Sequence, residues 1–167
     1  DMFDRTITIN GVSKAYAMTG WRVGYCGGPK NIVTAMKKIQ GQSTSNASSI
    51  SQAAALAALN GSHQPVHSMA EEYAKRHTFI FNAMNNIEGF KTLAATGAFY
   101  TFPEVTSVIK DLNLSDDVEF SDYLLESARV AVVPGSAFGA KGHIRLSFAT
   151  SMKLIKEAVS RIKDALK

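Results

Sequence analysis

The spacing of apolar residues predicts helices along most of the chain. Apolar side chains that recur every three or four residues share one face of a helix. The longest such stripe runs from Val66 to Ile87, directly after Pro65. A polar stretch at residues 41–46 is expected to separate the first two helices. The predicted helices cover residues 31–39, 47–59, 65–87, 105–112, 120–128 and 152–166.

Alternation of apolar and polar residues predicts the strands, because successive side chains of a strand point to opposite faces. A continuous apolar run predicts a buried strand at residues 130–133, and residues 134–139 after it predict a tight loop. The predicted strands cover residues 6–10, 21–26, 96–102, 130–133 and 144–149.

The order of these elements predicts an α/β arrangement at first and a mixed α+β arrangement from about residue 65. Gly61 and Pro65 mark a break between the two parts. We therefore predict two domains, at residues 1–62 and 63–167.

Composition narrows the class of protein. With 46% hydrophobic and 19% charged residues among 167, the chain can bury a core and is not disordered. The net charge is +4, but the longest basic runs are the pairs Lys37-Lys38 and Lys75-Arg76, which argues against nucleic-acid binding. No apolar run approaches the roughly 18 residues of a membrane span. The single Cys26 excludes an intrachain disulfide and suits a reducing cytosol.

Two cations near the beginning of the chain are candidates for chemistry. Lys14 follows a predicted strand and a glycine, and Arg22 stands eight residues further on. A lysine among apolar groups and near a second cation loses its proton more easily and can form an imine with a carbonyl compound. An arginine suits a phosphate group. Spacing alone, however, favours a surface lysine in a loop and an arginine paired with a carboxylate, because lysines in loops are common.

A third cation, Arg145, alternates with Ile144 and Leu146 on a predicted strand. It is therefore expected to face away from those apolar side chains. An arginine in that setting is either ion-paired or functional, and its planar fork matches a carboxylate.

Residues 11–25 resemble the cofactor-lysine segment of class-I pyridoxal-phosphate (PLP) aminotransferases of fold type I. The shared pattern is a small residue, an apolar residue and a small residue before the lysine, then an arginine eight residues on, an apolar residue and a glycine. The amino-acid sequence of this segment is most similar to that of the bacterial aspartate aminotransferases. Gly11 departs from it, because many relatives have a phosphate-binding serine there. The matching positions are Gly11, Val12, Ser13, Lys14, Ala17, Met18, Gly20, Arg22, Val23 and Gly24.

The resemblance implies a role for each of the three cations. Lys14 would bind the aldehyde of PLP and shuttle the proton between the substrate α-carbon and the cofactor. Arg22 would bind the cofactor phosphate. Residues 132–139 and the Arg145-Leu146-Ser147 pattern are similar to the family's substrate-binding segment, so Arg145 would bind the substrate α-carboxylate.

The resemblance also implies the fold, the assembly and the substrates. Residues 1–62 would end the large α/β PLP-binding domain, and residues 63–167 would form the small α+β domain. The reaction would exchange an amino group between an amino acid, with aspartate as the expected one, and a 2-oxo acid, in a cytoplasmic homodimer. Ser43, Thr44, Ser45 and Asn46 would approach the neighbouring subunit, although a polar loop that caps the next helix is an equal alternative.

The remaining candidates have structural interpretations. His63 and His67 flank Pro65 without a third ligand, so we expect no metal site. His77 lies on an apolar helical stripe and is expected to be a hydrogen-bonded, half-buried residue. Tyr100 and Phe102 are expected to belong to the core of the small domain.

The resemblance covers only the later part of a complete family member. The earlier half would supply the groups that stack on the pyridine ring and pair with its nitrogen and oxygen. We therefore expect this chain alone to be inactive. Two alternatives stay open, namely a PLP-dependent lyase and an aminotransferase-like effector domain of a transcription regulator.

Overall fold

The computed structural model describes residues 2–167 and divides the chain into two compact units. The first unit ends at Ser68 and the second runs from Met69 to Lys167. This division falls inside a long helix, Gln64–Asn85, whereas the domain boundary predicted from the sequence lies just before that helix. Within the described residues, no helix is both long enough and apolar enough to span a membrane.

The first unit contains a β-hairpin and two helices. Strands β1 (Thr8–Gly11) and β2 (Gly24–Gly27) are antiparallel, with Thr8 opposite Gly27 and Gly11 opposite Gly24. Helix α1 (Lys30–Ser43) begins directly after Pro29, and helix α2 (Ser49–Asn60) ends at Gly61, whose N–H donates to the carbonyl of Ala57. Short 3₁₀ turns occupy Phe3–Arg5 and Thr19–Trp21.

Few apolar side chains of the first unit are buried. No residue of α1 is buried, and Ala55 is the single buried residue of α2. Val12, between the two strands, is fully buried. Large apolar side chains are left in contact with solvent, with exposed fractions of 78% for Ile9, 73% for Ile39 and 72% for Ile50.

The second unit surrounds a small antiparallel sheet. Strand β5 (Ile144–Ser147) lies between β3 (Tyr100–Thr101) and β4 (Val133–Pro134). Helix α3 (Gln64–Asn85) contributes its C-terminal part to this unit. The other helices are α4 (Thr106–Asp111), α5 (Asp117–Tyr123), which continues into a π-helical turn at Leu124–Ala128, and α6 (Met152–Ala165).

The second unit has a hydrophobic core of its own. One face of β5 supplies Ile144 and Leu146, which are buried, while Arg145 and Ser147 point to the other face. The predicted alternation along this strand is confirmed. The largest fully buried side chains of this core are Met84, Phe120, Leu124, Ile144, Phe148 and Ile162.

All five predicted strands are shorter in the structure, and three of them differ most from the prediction. Residues 21–23 are not extended, because Arg22 adopts a left-handed backbone with φ of 54°. Residues 96–99 form bends, and Ala98 is likewise left-handed, so only Tyr100–Thr101 pairs. The predicted buried strand at 130–133 is wrong, since only Val133 pairs and none of these residues is buried. β4 lies at an edge of the sheet, where less burial is available.

The predicted helices are confirmed with shifted ends. α1 continues through Gly41 to Ser43, so the polar stretch at 41–46 begins inside the helix. The prediction of a helix at 120–128 holds, although its second half is π-helical. α6 buries Ile155, Val159 and Ile162 on one face, as the spacing predicts.

Candidate active site

Lys14 and Arg22 both lie in the connection between β1 and β2. Val12 N–H donates to the carbonyl of Val23 at 3.4 Å and closes this connection at its base. Lys14 is exposed in a turn that is fixed by the hydrogen bond from Ala17 N–H to the Lys14 carbonyl, at 3.1 Å. One short connection therefore presents a primary amine and a guanidinium.

The backbone conformation of Arg22 is unusual for a residue with a side chain. Its φ of 54° ends the 3₁₀ turn at Thr19–Trp21 and starts the path into β2. Its guanidinium Nη1 donates to the carbonyl of Thr19 at 2.9 Å. Within residues 2–68, Arg22 forms no ion pair, so its charge is available to an anion.

Arg145 is half-buried on the face of β5 that points away from the core. Its Cζ lies 4.4 Å from the centre of the Tyr100 ring and 4.4 Å from the centre of the Phe138 ring. Within residues 69–167, Arg145 forms no ion pair. The interpretation as a structural ion pair therefore has no support within its own unit.

Aromatic residues from three segments surround Arg145. Tyr100 belongs to β3, and Phe138 ends the 3₁₀ turn Gly135–Phe138 that follows β4. The Phe102 ring contacts Phe138 edge-on, with centres 6.2 Å apart, and stacks on His143 at 5.2 Å. The prediction that Tyr100 and Phe102 belong to the core is wrong, because both are half-buried on the Arg145 side of the sheet.

Asp117 is a buried carboxylate that the sequence analysis missed. It is the first residue of α5 and is 1% exposed. Its Oδ2 accepts a hydrogen bond from Ser136 N–H at 2.7 Å, and its Oδ1 accepts one from Gly142 N–H at 3.2 Å. Asp117 thereby ties both ends of the loop that carries Phe138. The only sequence signal is the adjacent N-cap, Asp116, which gives no sign of this tertiary contact.

The charge state of Asp117 follows from these contacts. Burial by itself would raise the pKa of the carboxyl group. Hydrogen bonds from the backbone and hydroxyl of Ser136, from Gly142 N–H and from its own backbone outweigh burial and lower the pKa below its ordinary value. Asp117 is therefore ionised at neutral pH and stabilises the loop as an anion.

Replacement of Asp117 by Asn is expected to lower the free energy of unfolding by about 2 kcal/mol at pH 7, because a charged acceptor of two N–H groups is lost. A carboxyl group with a lowered pKa stabilises the folded state above its unfolded pKa, and this contribution is lost as the pH falls through the folded pKa. The difference between wild type and Asp117→Asn should therefore shrink below about pH 4.

Urea unfolding of the full-length protein at pH 7, 5 and 3 measures this difference. Asp122→Asn is the matched control, because Asp122 lies on the same helix and is exposed. A difference that stays constant with pH would contradict an ionised Asp117.

The other candidates have structural roles. His77 is half-buried, and its Nε2 accepts a hydrogen bond from Ala95 N–H at 3.0 Å, as expected. The ring of His63 meets that of Tyr16 edge-on. Across residues 2–167, no group of three His, Cys, Asp or Glu side chains could hold a metal ion. Ser48 is the N-cap of α2 and makes no side-chain capping bond, so capping by the polar loop is not observed.

Comparison with known proteins identifies the family. The family model described as aminotransferase class I and II matches residues 1–162. The chain belongs to this family. The resemblance inferred from residues 11–25 is thereby confirmed.

Curated members of the family resemble the whole chain. The aspartate/prephenate aminotransferase of Nitrosomonas europaea is 54% identical over 172 residues, which cover 99% of this chain and 43% of that protein. The aspartate aminotransferase of Bacillus subtilis is 44% identical over 160 residues, covering 96% of this chain and 41% of that protein. The chain thus spans about two fifths of the length of these relatives.

Solved family structures share the fold. The aspartate aminotransferase of Rhizobium meliloti matches with a TM-score of 0.91 and 46% identity, over 98% of this chain and 42% of that one. The aromatic aminotransferase of Pyrococcus horikoshii matches with a TM-score of 0.91 and 38% identity, over 99% of this chain and 44% of that one. The predicted fold class, a mixed α/β portion of an aminotransferase, is confirmed.

The structure brings Lys14 and Arg22 together in one connection of the first unit, whereas Arg145 lies in the second unit. The roles of these three residues toward a cofactor and a substrate remain predictions. The assignment of residues 1–62 and 63–167 to a large and a small domain also remains a prediction.

Proposed function

We propose that the full-length protein containing this chain is a PLP-dependent aminotransferase. It exchanges an amino group between an amino acid, aspartate in the first instance, and a 2-oxo acid. One observation carries the proposal. Lys14 and Arg22 lie in the same short connection between β1 and β2 of a chain that belongs to the family, and Arg22 forms no ion pair within residues 2–68. The names of the curated relatives favour aspartate as the amino donor.

The residues of this connection fit the two ends of PLP. An exposed primary amine can bind an aldehyde, and a guanidinium without an acidic partner can bind a phosphate. When bound, PLP supplies an electron sink for the bonds at the substrate α-carbon. Gly11 offers no hydroxyl to the phosphate, so Arg22 and backbone N–H groups would carry that contact.

Lys14 would have two tasks. Its Nζ would first hold the cofactor through the aldehyde carbon. Once the substrate amine takes that place, Nζ would accept the proton from the substrate α-carbon and return it at the former aldehyde carbon. A primary amine that solvent can reach suits both tasks, and Lys14 is exposed in its turn.

Arg145 would bind the substrate α-carboxylate. Its guanidinium can donate two parallel hydrogen bonds to the two oxygens, which fixes the orientation of the substrate as well as its affinity. A half-buried guanidinium without an ion pair in its unit suits this role, because the charge is not already neutralised.

The proposal includes a cytoplasmic homodimer, with residues 43–46 near the neighbouring subunit. These residues are exposed and polar, and Ser45 is left-handed with φ of 64°. The large apolar side chains exposed on the first unit are consistent with burial against other parts of an assembled enzyme.

The test uses the full-length protein with added PLP. Formation of a 2-oxo acid from aspartate, with equal amination of the 2-oxo acid acceptor, would support the proposal. Prephenate is assayed as a further acceptor, and an aromatic amino acid is assayed as a further donor. Release of ammonia in place of amino transfer would instead indicate a lyase. We expect the 167-residue chain alone to show negligible exchange, and exchange at the full-length rate would contradict that part of the proposal.

A further inference from the structure

The surroundings of Arg145 are built to hold its guanidinium in one orientation. Tyr100 approaches from β3 and Phe138 from the turn after β4, and these two strands lie on either side of β5. Each ring centre is 4.4 Å from Cζ, which is close contact. A guanidinium attracts the faces of aromatic rings, so two such contacts restrict its rotation.

Such a pair of rings also determines how an anion can approach. The five N–H groups of a guanidinium lie in its plane, so a ring that stacks on a face of the guanidinium leaves the N–H edge open. A carboxylate lying in that plane can then accept two hydrogen bonds from the edge. A site prepared in this way loses less conformational freedom on binding.

Phe138 lies beside Arg145 because hydrogen bonds to a buried carboxylate hold the loop that carries it. Phe138 is 50% exposed, so core packing alone does not hold it in place. Asp117 binds Ser136 N–H and Gly142 N–H at the two ends of the loop. Gly139 N–H donates to the Ser136 carbonyl at 3.0 Å, which closes the turn around Phe138.

The backbone of the loop admits little variation. Gly142 has φ of +72°, and a Cβ there would lie 2.4 Å from the hydroxyl oxygen of Thr106. A Cβ on Gly135 would lie 2.3 Å from the carbonyl oxygen of Ala140. Both glycines therefore support the same loop path that Asp117 anchors.

We propose that Tyr100 and Phe138 are positioning residues that orient Arg145 toward a planar carboxylate, and that Asp117 acts through Phe138 by anchoring its loop. The inference rests on the proposed function in one respect, the assignment of Arg145 as the carboxylate-binding group. It adds three residues that would determine substrate affinity through the orientation of Arg145.

The test compares variants of the full-length protein saturated with PLP. Phe138→Leu and Tyr100→Leu should each raise KM for aspartate about ten-fold, because the orientation of Arg145 is no longer fixed. The kcat should change less than about two-fold, because the proton-transfer groups are untouched. Phe138→Tyr keeps a ring and should restore most of the affinity. Phe79→Leu is the matched control, since Phe79 also packs under a cation, Lys156, at 5.7 Å.

A double-mutant cycle tests the part played by Asp117. Asp117→Asn alone should raise KM about three-fold through Phe138. Added to Phe138→Leu, it should cause no further change in KM, because its effect passes through the same ring. Independent, multiplying effects of the two substitutions would overturn the assigned role of Asp117.

A binding measurement separates this inference from the proposed function. The affinity for succinate, measured by calorimetry, should fall about ten-fold in Phe138→Leu and be restored in Phe138→Tyr. If the wild type binds succinate but does not transaminate, the proposed function fails and the orientation of Arg145 is still tested. The inference would be overturned if both leucine variants kept the succinate affinity and the KM of the wild type. It would also be overturned if the wild type bound no succinate.

Discussion

Replacement of Lys14 by Ala in the full-length protein is expected to lower the rate of amino-group exchange by at least about 10⁴-fold. The substitution removes the amine that would hold the cofactor aldehyde and the base that would move the α-proton. Both tasks depend on one atom, Nζ, so no neighbouring group of the connection compensates. The steady-state rate with aspartate and a 2-oxo acid measures the loss.

Chemical trapping tests the same residue without turnover. Borohydride reduction of the PLP-loaded wild type should fix the cofactor on Lys14, to be located by mass spectrometry of the peptides, and should leave no adduct in Lys14→Ala. Lys37→Ala is the matched control, because Lys37 is an exposed lysine of the same unit. An adduct on another lysine of the wild type would contradict the assignment.

Replacement of Arg145 by Leu is expected to lower kcat/KM for aspartate by about 10³-fold, since the proposed charge pair between Arg145 and the substrate carboxylate would be lost. Arg145→Lys should recover part of the loss, because a point charge remains but the two parallel hydrogen bonds do not. Stability should change little, because Arg145 forms no ion pair within residues 69–167 that its removal would break.

The control for this substitution is Arg161→Leu, which removes an exposed arginine of α6 that pairs with Glu157. Its kcat/KM should match that of the wild type. If Arg145→Leu leaves KM for aspartate unchanged while Arg161→Leu also has no effect, the substrate carboxylate binds elsewhere.

The orientation of Arg145 could be predicted from the sequence because a strand alternates with a period of two. Ile144 and Leu146 had to face the core, so Arg145 faced away from it. The helices were predictable for the equivalent reason, since their apolar stripes repeat with the helical period. Patterns of this kind report burial within one element.

Backbone conformations and contacts between elements could be predicted less well from the sequence. Arg22, Ala98 and Arg129 adopt left-handed backbones although none is glycine, and these residues cut short the predicted strands. Nothing in their side chains signals such a conformation. Asp117 was missed because its partners, Ser136 and Gly142, are distant in sequence and donate backbone N–H groups, which every residue except proline possesses.

The identities of Lys14 and Arg22 as candidates came from a motif, not from spacing. A lysine and an arginine eight residues apart are common in surface loops. The match of many small and apolar positions around them distinguished this connection. The structure adds that Arg22 has no acidic partner within residues 2–68, which spacing could not reveal.

The two units differ in how many apolar side chains they bury, and this difference has a consequence for synthesis of the protein on the ribosome. Synthesis on the ribosome produces residues 2–68 before residues 69–167, and the earlier of these two units leaves Ile9, Ile39 and Ile50 uncovered. The unit with a continuous core, Met69–Lys167, follows it. While residues 69–167 are being synthesised, we therefore expect the nascent chain to expose aggregation-prone apolar surface. Chaperones are expected to be most useful to it during this period.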